Sequence, residues 1–167
     1  MKKSIYQIVS EHQNVLNTRK RLTEIFSMIA ECQVTIGESY ALKYWCSAFS
    51  EREVFDYDFI LHALPENMEK IEKFLGLLNY QTGWICSPRY YGYKSIYFGY
   101  CNGLRVDILL QPGKYCSSAT FETLEDIIEV KRQWCEKATK QDVKPRNKDI
   151  EDIATYESWK AENSLSF

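Results

Sequence analysis

Histidine is scarce in this chain, its cysteines are scattered, and both facts argue against a zinc site. The sequence contains two histidines, His12 and His62, and six cysteines with no C-x-x-C pair among them. A structural zinc site needs four thiolate or imidazole ligands at short spacings. We therefore interpret the cysteines as reduced thiols of a cytoplasmic protein.

The chain also lacks an excess of charge and any long apolar run. Its formal net charge is −2 over 167 residues, which gives no general attraction for long DNA or RNA. The N-terminus continues into polar residues without the apolar core of a signal peptide. No run approaches the ~18 apolar residues of a membrane span. We expect a cytoplasmic protein that binds small substrates or a protein partner, without membrane insertion or extended DNA binding.

What the sequence does contain suits one domain with a sizeable core, since 45% of its residues are hydrophobic and 26% are charged. Periodicity predicts one long helix or two shorter ones over 4–31, and further helices over 39–45, 65–78, 121–138 and 145–161. It predicts strands over 34–36, 56–61, 80–86, 94–100 and 104–110, with a hairpin turn at Asn102-Gly103.

This order of elements predicts an α+β fold with a mixed β-sheet and flanking helices. The domain would comprise N-terminal helices (1–31), a sheet core with helices (32–112) and a helical C-terminal segment (113–167). The first two predicted strands and the last are expected to end together at one edge of the sheet.

Two aspartates, Asp56 and Asp58, stand directly before the apolar run Phe59-Ile60-Leu61. Residues i and i+2 of a strand share one face, so both carboxylates are expected on the same side. Adjacent like charges persist where a cation offsets their repulsion or where solvent reaches them. Oxygen-only ligands favour Mg²⁺, and Mg²⁺ indicates phosphate chemistry. The alternative is that Asp56 ends a turn and Asp58 lies on a solvated face.

A strand-to-helix turn and a third aspartate accompany this pair. The turn contains Gly37 and Ser39, and its backbone N–H groups and helix dipole can bind an anion. Taken alone, such a segment is more often an ordinary strand-to-helix turn. Asp107 lies within an apolar predicted strand and shares a face with Arg105. A buried aspartate paired with that arginine is the alternative to a third metal ligand.

These segments together resemble the nucleotidyltransferase superfamily related to DNA polymerase β, in particular its small bacterial members. Those proteins combine Gly-Ser or Gly-Gly, then x-Ala-Leu, an Arg-containing loop and two aspartates separated by one apolar residue. Here Ser39-Tyr40-Ala41-Leu42 matches the first part, Arg52 matches the loop arginine, and Asp56 and Asp58 match the acid pair. Asp107 takes the place of the third carboxylate. The resemblance covers residues 30–153.

The C-terminal helices carry further matching features, namely Lys131 with Arg132, and the run Lys148-Asp149-Ile150. The resemblance implies a two-metal Mg²⁺ site held by Asp56, Asp58 and Asp107, with Asp107 as general base. It implies a nucleoside triphosphate (NTP) substrate. The nucleotide-binding residues that it implies are Gly37, Ser39, Arg52, Lys131 and Lys148.

The acceptor hydroxyl, on a small molecule, a protein or an RNA end, is left open by the sequence. A second interpretation is a non-catalytic member of the same fold, which senses a nucleotide or binds a partner, as in toxin–antitoxin and phage-defence systems. The aromatic segment Arg89–Lys94, followed by Tyr97, Phe98 and Tyr100, can stack a base or cover a sheet face.

One residue departs from the family pattern. Glu38 stands where the family has glycine directly before the phosphate-contacting residue, and Gly37 lies one place earlier. Either the turn contains an extra residue, or an acidic side chain lies beside the triphosphate path and repels the nucleotide. Cys46-Ser47 is an alternative match to the family's Gly-Ser pair. We favour Gly37 and Ser39 because they follow a strand and precede Ala41-Leu42.

Overall fold

The computed structural model describes residues 2–82, 85–87, 96–113 and 119–164. Within these ranges the chain forms five α-helices, one short 3-10 helix and five strands. The helices are α1 (Ile5–Ser27), α2 (Glu38–Trp45), α3 (Pro65–Thr82), α4 (Leu124–Lys140) and α5 (Asn147–Ser164), with the 3-10 helix at Ser47–Phe49. The strands are β1 (Cys32–Ile36), β2 (Tyr57–Ala63), β3 (Ile85–Ser87), β4 (Ile96–Cys101) and β5 (Leu104–Pro112).

The described strands form one mixed sheet in the order β1-β2-β5-β4-β3. Strands β2 and β5 are parallel, and the other neighbouring pairs are antiparallel. Asn102 and Gly103, with φ of 52° and 78°, connect β4 to β5, as a type I′ hairpin requires. The predicted α+β fold with a mixed sheet, flanking helices and a helical C-terminal segment is confirmed, and so is the hairpin.

One face of the sheet is apolar, because alternate residues of β1, β2 and β5 are large and hydrophobic. These residues are Val34, Ile36, Phe59, Leu61, Val106, Ile108 and Leu110, and all are buried in one core. Helix α1 contributes Val15, Leu22 and Phe26 to the same core, and α3 contributes Ile71 and Leu75. The hydrophobic effect therefore fixes the central strands from this side.

The opposite face of the sheet carries polar side chains. Asp58 on β2 pairs with Asp107 on β5 in the parallel register. Helix α4 covers part of this face, where Leu109 packs with Trp134 and Ala138, and α5 packs against α4. The predicted site residues lie around this polar face.

The structure settles one open choice among the predicted helices and lengthens another of them. Helix α1 is continuous, so the choice between one long helix and two shorter ones is settled in favour of one. Helix α3 extends to Thr82, which makes residues 80–82 helical instead of part of a strand. The sequence offers a reason, since Gly83 is the first strong helix breaker after Asn79.

The strand directions also differ from the expectation of a common end. Because β1 is antiparallel to β2, Ile36 at the end of β1 pairs with Phe59 near the start of β2. The end of β1 therefore meets the beginning of β2 and the middle of β5.

Among the described residues, no helix combines the length and the apolar character that crossing a bilayer requires.

Candidate functional site

The three aspartates reach one place because of the parallel pairing between β2 and β5. Asp56 directly precedes β2, and Asp58 is the second residue of that strand. Asp107 lies in β5 as the register partner of Asp58. Neighbouring strands run ~4.8 Å apart, so side chains at paired positions on one face are adjacent. The pairing thus adds the third acid to the two that the sequence spacing already places together.

One carboxylate oxygen from each of Asp56, Asp58 and Asp107 lies within 4.8 Å of the others. Asp107 is buried, with 8% of its surface exposed, and the other two aspartates are partly buried. Carboxylate oxygens alone are the ligand set of a hard divalent cation. Such a cation would also offset the repulsion of three clustered like charges. These residues could therefore hold a metal ion.

The turn that precedes α2 is joined to the acid-bearing strand through Gly37. The Gly37 N–H donates a hydrogen bond to the backbone oxygen of Asp58, with an N···O distance of 2.9 Å. A Cβ atom at position 37 would lie 2.9 Å from Cδ1 of Ile60. A larger residue would therefore have to displace Ile60 from this close approach. The backbone of the turn is therefore hydrogen-bonded directly to the backbone of the acid-bearing strand.

Two of the predicted nucleotide-binding residues meet at the N-terminus of α2. Lys148, exposed on α5, donates a hydrogen bond from Nζ to Oγ of Ser39 at 3.2 Å. Ser39 is the second residue of α2, and Gly37 is its N-cap. The positive end of the helix dipole and an ammonium group therefore lie at the same turn.

Lys131 lies in a different environment. Its side chain is 0% exposed. Its Nζ lies 3.0 Å from Oε2 of Glu38 and 3.2 Å from an oxygen of each of Asp149 and Asp152. Burial lowers the pKa of Lys131, but the charges of Glu38, Asp152 and Asp149 outweigh burial and raise it above the ordinary value. The ammonium group is thus buried and held by three carboxylates, and the nucleotide-binding role expected for Lys131 stays a prediction.

This arrangement also changes the interpretation of Glu38. Its carboxylate is buried and neutralised by Lys131, so a simple repulsion between Glu38 and a nucleotide does not follow. The backbone of Glu38 has φ 50°, a left-handed conformation that is uncommon for residues other than glycine. The residue in this conformation has its side chain paired with the buried Lys131.

Arg52 reaches the same cluster from the loop before β2. Its guanidinium donates two hydrogen bonds to the carboxylate of Asp152, one of them at 3.0 Å from Nη1 to Oδ2. Arg146 makes the corresponding pair with Asp149, at 2.9 and 2.8 Å. Burial raises the pKa of Asp149, but hydrogen bonds from Arg146 and the charges of Lys131 and Arg146 outweigh it and leave the pKa below its usual value.

The sequence analysis missed the roles of Asp149 and Asp152, although a signal for the cluster exists in α4. The buried residues of that helix follow a helical stripe and are Leu124, Ile127, Ile128, Lys131, Trp134 and Ala138. A lysine within such a stripe faces the core, and a buried lysine requires carboxylate partners. Spacing alone thus marks Lys131 as a buried ion-pair residue.

A separate polar cluster lies on the same sheet face. Oγ1 of Thr35 donates a hydrogen bond to Oε1 of Glu122 at 2.6 Å, and Nε2 of His62 lies 2.5 Å from the same oxygen. Burial raises the pKa of Glu122, but the hydrogen bonds from His62 and Thr35 and the charge of His62 outweigh it and leave the pKa below the usual value.

The predicted aromatic stacking segment is only partly within the structure. Residues 88–95 lie outside the described ranges, and the side chains of Tyr97 and Phe98 are not described. Tyr100 is 73% exposed. Base stacking by this segment stays a prediction.

Similarity to other proteins gives no assignment for this site. The sequence matches no protein-family model, and comparisons with curated proteins and with solved structures found no match to this chain.

Proposed function

We propose that this chain is a Mg²⁺-dependent nucleotidyltransferase that moves a nucleoside monophosphate from an NTP to a hydroxyl acceptor. The observation that carries the proposal is the convergence of carboxylate oxygens from Asp56, Asp58 and Asp107 within 4.8 Å. Asp58 on β2, Asp107 on β5 and Asp56 directly before β2 supply these acids, and the Gly37 turn is hydrogen-bonded to Asp58. We place the activity in the cytoplasm, where cysteine thiols stay reduced.

The three aspartates would hold Mg²⁺, which when bound neutralises triphosphate charge and lowers the pKa of a coordinated hydroxyl. The oxygen-only ligand set fits this ion better than zinc, which prefers nitrogen and sulfur. Asp107 is the most buried of the three. Its carboxylate would accept the proton of the acceptor hydroxyl.

Phosphate binding is assigned to the turn before α2. The N–H groups at the start of α2 can donate to phosphate oxygens, and Ser39 and Lys148 add a hydroxyl and an ammonium group at the same place. In the transfer, the acceptor oxygen forms a bond to the α-phosphorus, and the bond from that phosphorus to the pyrophosphate oxygen breaks. Pyrophosphate leaves, and the turn would bind its charge.

A second function is a non-catalytic nucleotide-binding module with the same fold. The observation that favours it is the engagement of Arg52 and Lys131 with carboxylates of α5, because both were expected to contact the nucleotide. Under this interpretation Mg²⁺·NTP binds at the acids and the turn, but no nucleotide is transferred.

The test measures binding and transfer separately. Isothermal titration with ATP, GTP, CTP and UTP, each with Mg²⁺ or with EDTA, measures binding. Transfer of radiolabel from α-labelled NTPs to the protein, to an RNA pool and to a hydroxyl-bearing metabolite extract measures activity. We expect Mg²⁺-dependent binding that Asp58→Asn abolishes and Asp142→Asn, in the exposed turn after α4, preserves. Binding without transfer supports the second function, and the absence of both rejects the proposal.

A further inference from the structure

A network of balanced charge, buried at Lys131, Asp149 and Asp152, connects Glu38 at the start of α2 to the two C-terminal helices. The cations are Lys131, Arg52 and Arg146, and the anions are Glu38, Asp149 and Asp152. Among these cations only Lys131 contacts Glu38 in the bonds described above. The arginines stay with the two aspartates of α5.

The turn itself needs an external restraint. Glu38 holds φ 50°, and a non-glycine residue keeps this conformation only where its surroundings over-determine it. Three contacts hold the turn, one at each of its residues. Gly37 N–H donates to the Asp58 oxygen, Glu38 pairs with Lys131, and Ser39 accepts from Lys148. Of the two side-chain contacts, the one between Glu38 and Lys131 is buried, and the one between Ser39 and Lys148 is partly buried.

We infer that Lys131 is a positioning residue for the turn formed by Gly37, Glu38 and Ser39. It acts through the Glu38 carboxylate, and it keeps Ser39 and the first N–H groups of α2 beside the strand that carries Asp58. The inference rests on the proposed function in one respect, because this placement matters for function only if the turn binds phosphate. The placement itself is a property of the apo protein and can be measured without a nucleotide.

The burial of Lys131 separates positioning from direct binding. A ligand lysine needs an exposed ammonium group, and Lys131 has 0% exposure with three carboxylate partners. Lys148 is exposed and already lies on the turn. The two lysines that the sequence grouped together thus divide into a positioning residue and a phosphate-binding candidate.

Hydrogen exchange of the apo protein is the first test. Glu38→Gln removes the charge that Lys131 contacts while it keeps the side-chain shape. We expect exchange at the hydrogen-bonded amides of residues 37, 41 and 42 to rise about tenfold or more, while α1 and β5 stay protected. The matched control is Arg132→Gln, because Arg132 is the next residue of α4 and its ion pairs are exposed. Unchanged exchange in Glu38→Gln would overturn the inference.

A second variant, Glu38→Gly, separates the effect of the left-handed backbone at position 38 from the effect of the contact with Lys131. Glu38→Gly accepts the left-handed φ without strain but also loses the contact with Lys131. We expect its turn to exchange faster, as in Glu38→Gln, and its affinity for Mg²⁺·ATP to fall about tenfold. Tighter binding of Mg²⁺·ATP by Glu38→Gly would show that Glu38 repels the nucleotide and would overturn the inference.

A double-mutant cycle tests whether the slow amide exchange of the turn depends on the contact between Glu38 and Lys131. If Lys131 acts through Glu38, Lys131→Met should add little to the exchange rate of Glu38→Gln at the amides of residues 37, 41 and 42. If the two substitutions instead raise the exchange rate independently, so that their fold-changes multiply in the double variant, the inference is contradicted. If Lys131→Met does not fold, the two Glu38 variants decide alone. If the wild type binds none of the four Mg²⁺·NTPs while the exchange results hold, the proposed function fails and the positioning role stands.

Discussion

Asp58 and Asp107 are direct partners across the one parallel strand pair of the described sheet. Each also has a carboxylate oxygen within 4.8 Å of the other and of Asp56. A parallel pair brings together residues that are distant in the chain, and here it brings together two acids. The predictions below test what this pairing does and what the surrounding ion pairs contribute.

Magnesium should stabilise the protein through these acids. A ligand at a concentration of 100 times its Kd adds about 2.7 kcal/mol to the free energy of unfolding, which for a chain of this size raises Tm by roughly 5–10 °C. Asp58→Asn should abolish this shift. Its Tm without metal should equal or exceed that of the wild type, because one of three clustered charges is gone. Differential scanning calorimetry with Mg²⁺ or EDTA measures both, with Asp142→Asn as the control.

Asp107→Asn should separate nucleotide binding from transfer. Under the proposed function, Asp56 and Asp58 would hold the nucleotide-bound metal, whereas Asp107 would accept the proton of the acceptor hydroxyl. We expect Kd for Mg²⁺·NTP to change less than about threefold and transfer to fall by about 10² or more. Isothermal titration and the radiolabel assay give the two values. A variant that does not fold would instead assign Asp107 a structural role beside Arg105.

Arg52→Gln should lower stability more than a comparable change at the surface. Arg52 donates two hydrogen bonds to Asp152, whose side chain is 1% exposed, so the loss costs about 1–3 kcal/mol. Arg132→Gln removes exposed ion pairs with Glu129 and Glu157 and should cost less than about 1 kcal/mol. Urea unfolding of both variants measures the difference. Equal stability, with a large loss of NTP affinity only in Arg52→Gln, would point to the phosphate contact that the family resemblance implies.

Acid should destabilise the protein partly through Glu122. Its pKa in the folded state lies below the ordinary value of 4.5, so the folded state binds fewer protons than the unfolded state in this range. The stabilisation is therefore complete above pH 4.5 and is lost as the pH falls through the lower folded-state pKa. Glu122→Gln should show a shallower loss of stability below pH 4.5. Urea unfolding at a series of pH values between about 3 and 7 measures this slope; the same slope in both proteins would contradict it.

The sequence predicts the elements that depend on local pattern. The spacing of Asp56 and Asp58 places them on one side of a strand, and Asn102-Gly103 specifies the hairpin that leads into β5. The placement of Asp107 beside Asp58 follows once β5 runs parallel to β2. These are properties of short segments and of one turn.

The ion pairs were not predicted, because they depend on contacts between helices that are distant in the chain. The apolar stripe of α4 indicates that Lys131 faces the core, but the sequence does not show which carboxylates it meets there, nor that α5 leaves Lys148 at the surface. Likewise Glu38 reads as a departure from a glycine pattern until Lys131 is found 3.0 Å away. Partner identity is a tertiary property that local periodicity does not encode.

The pairing of β2 with β5 would also make metal binding at the three aspartates a measure of completed folding. Helix α3 and strands β3 and β4 lie between these two strands in the chain, so Asp107 reaches Asp58 only after a long loop has closed. A nascent or partly unfolded chain that contains the α1, β1 and β2 segments has Asp56 and Asp58 but lacks the third ligand. During synthesis the site therefore forms after β5 joins the sheet, and an N-terminal fragment that ends before β5 should not compete for the metal.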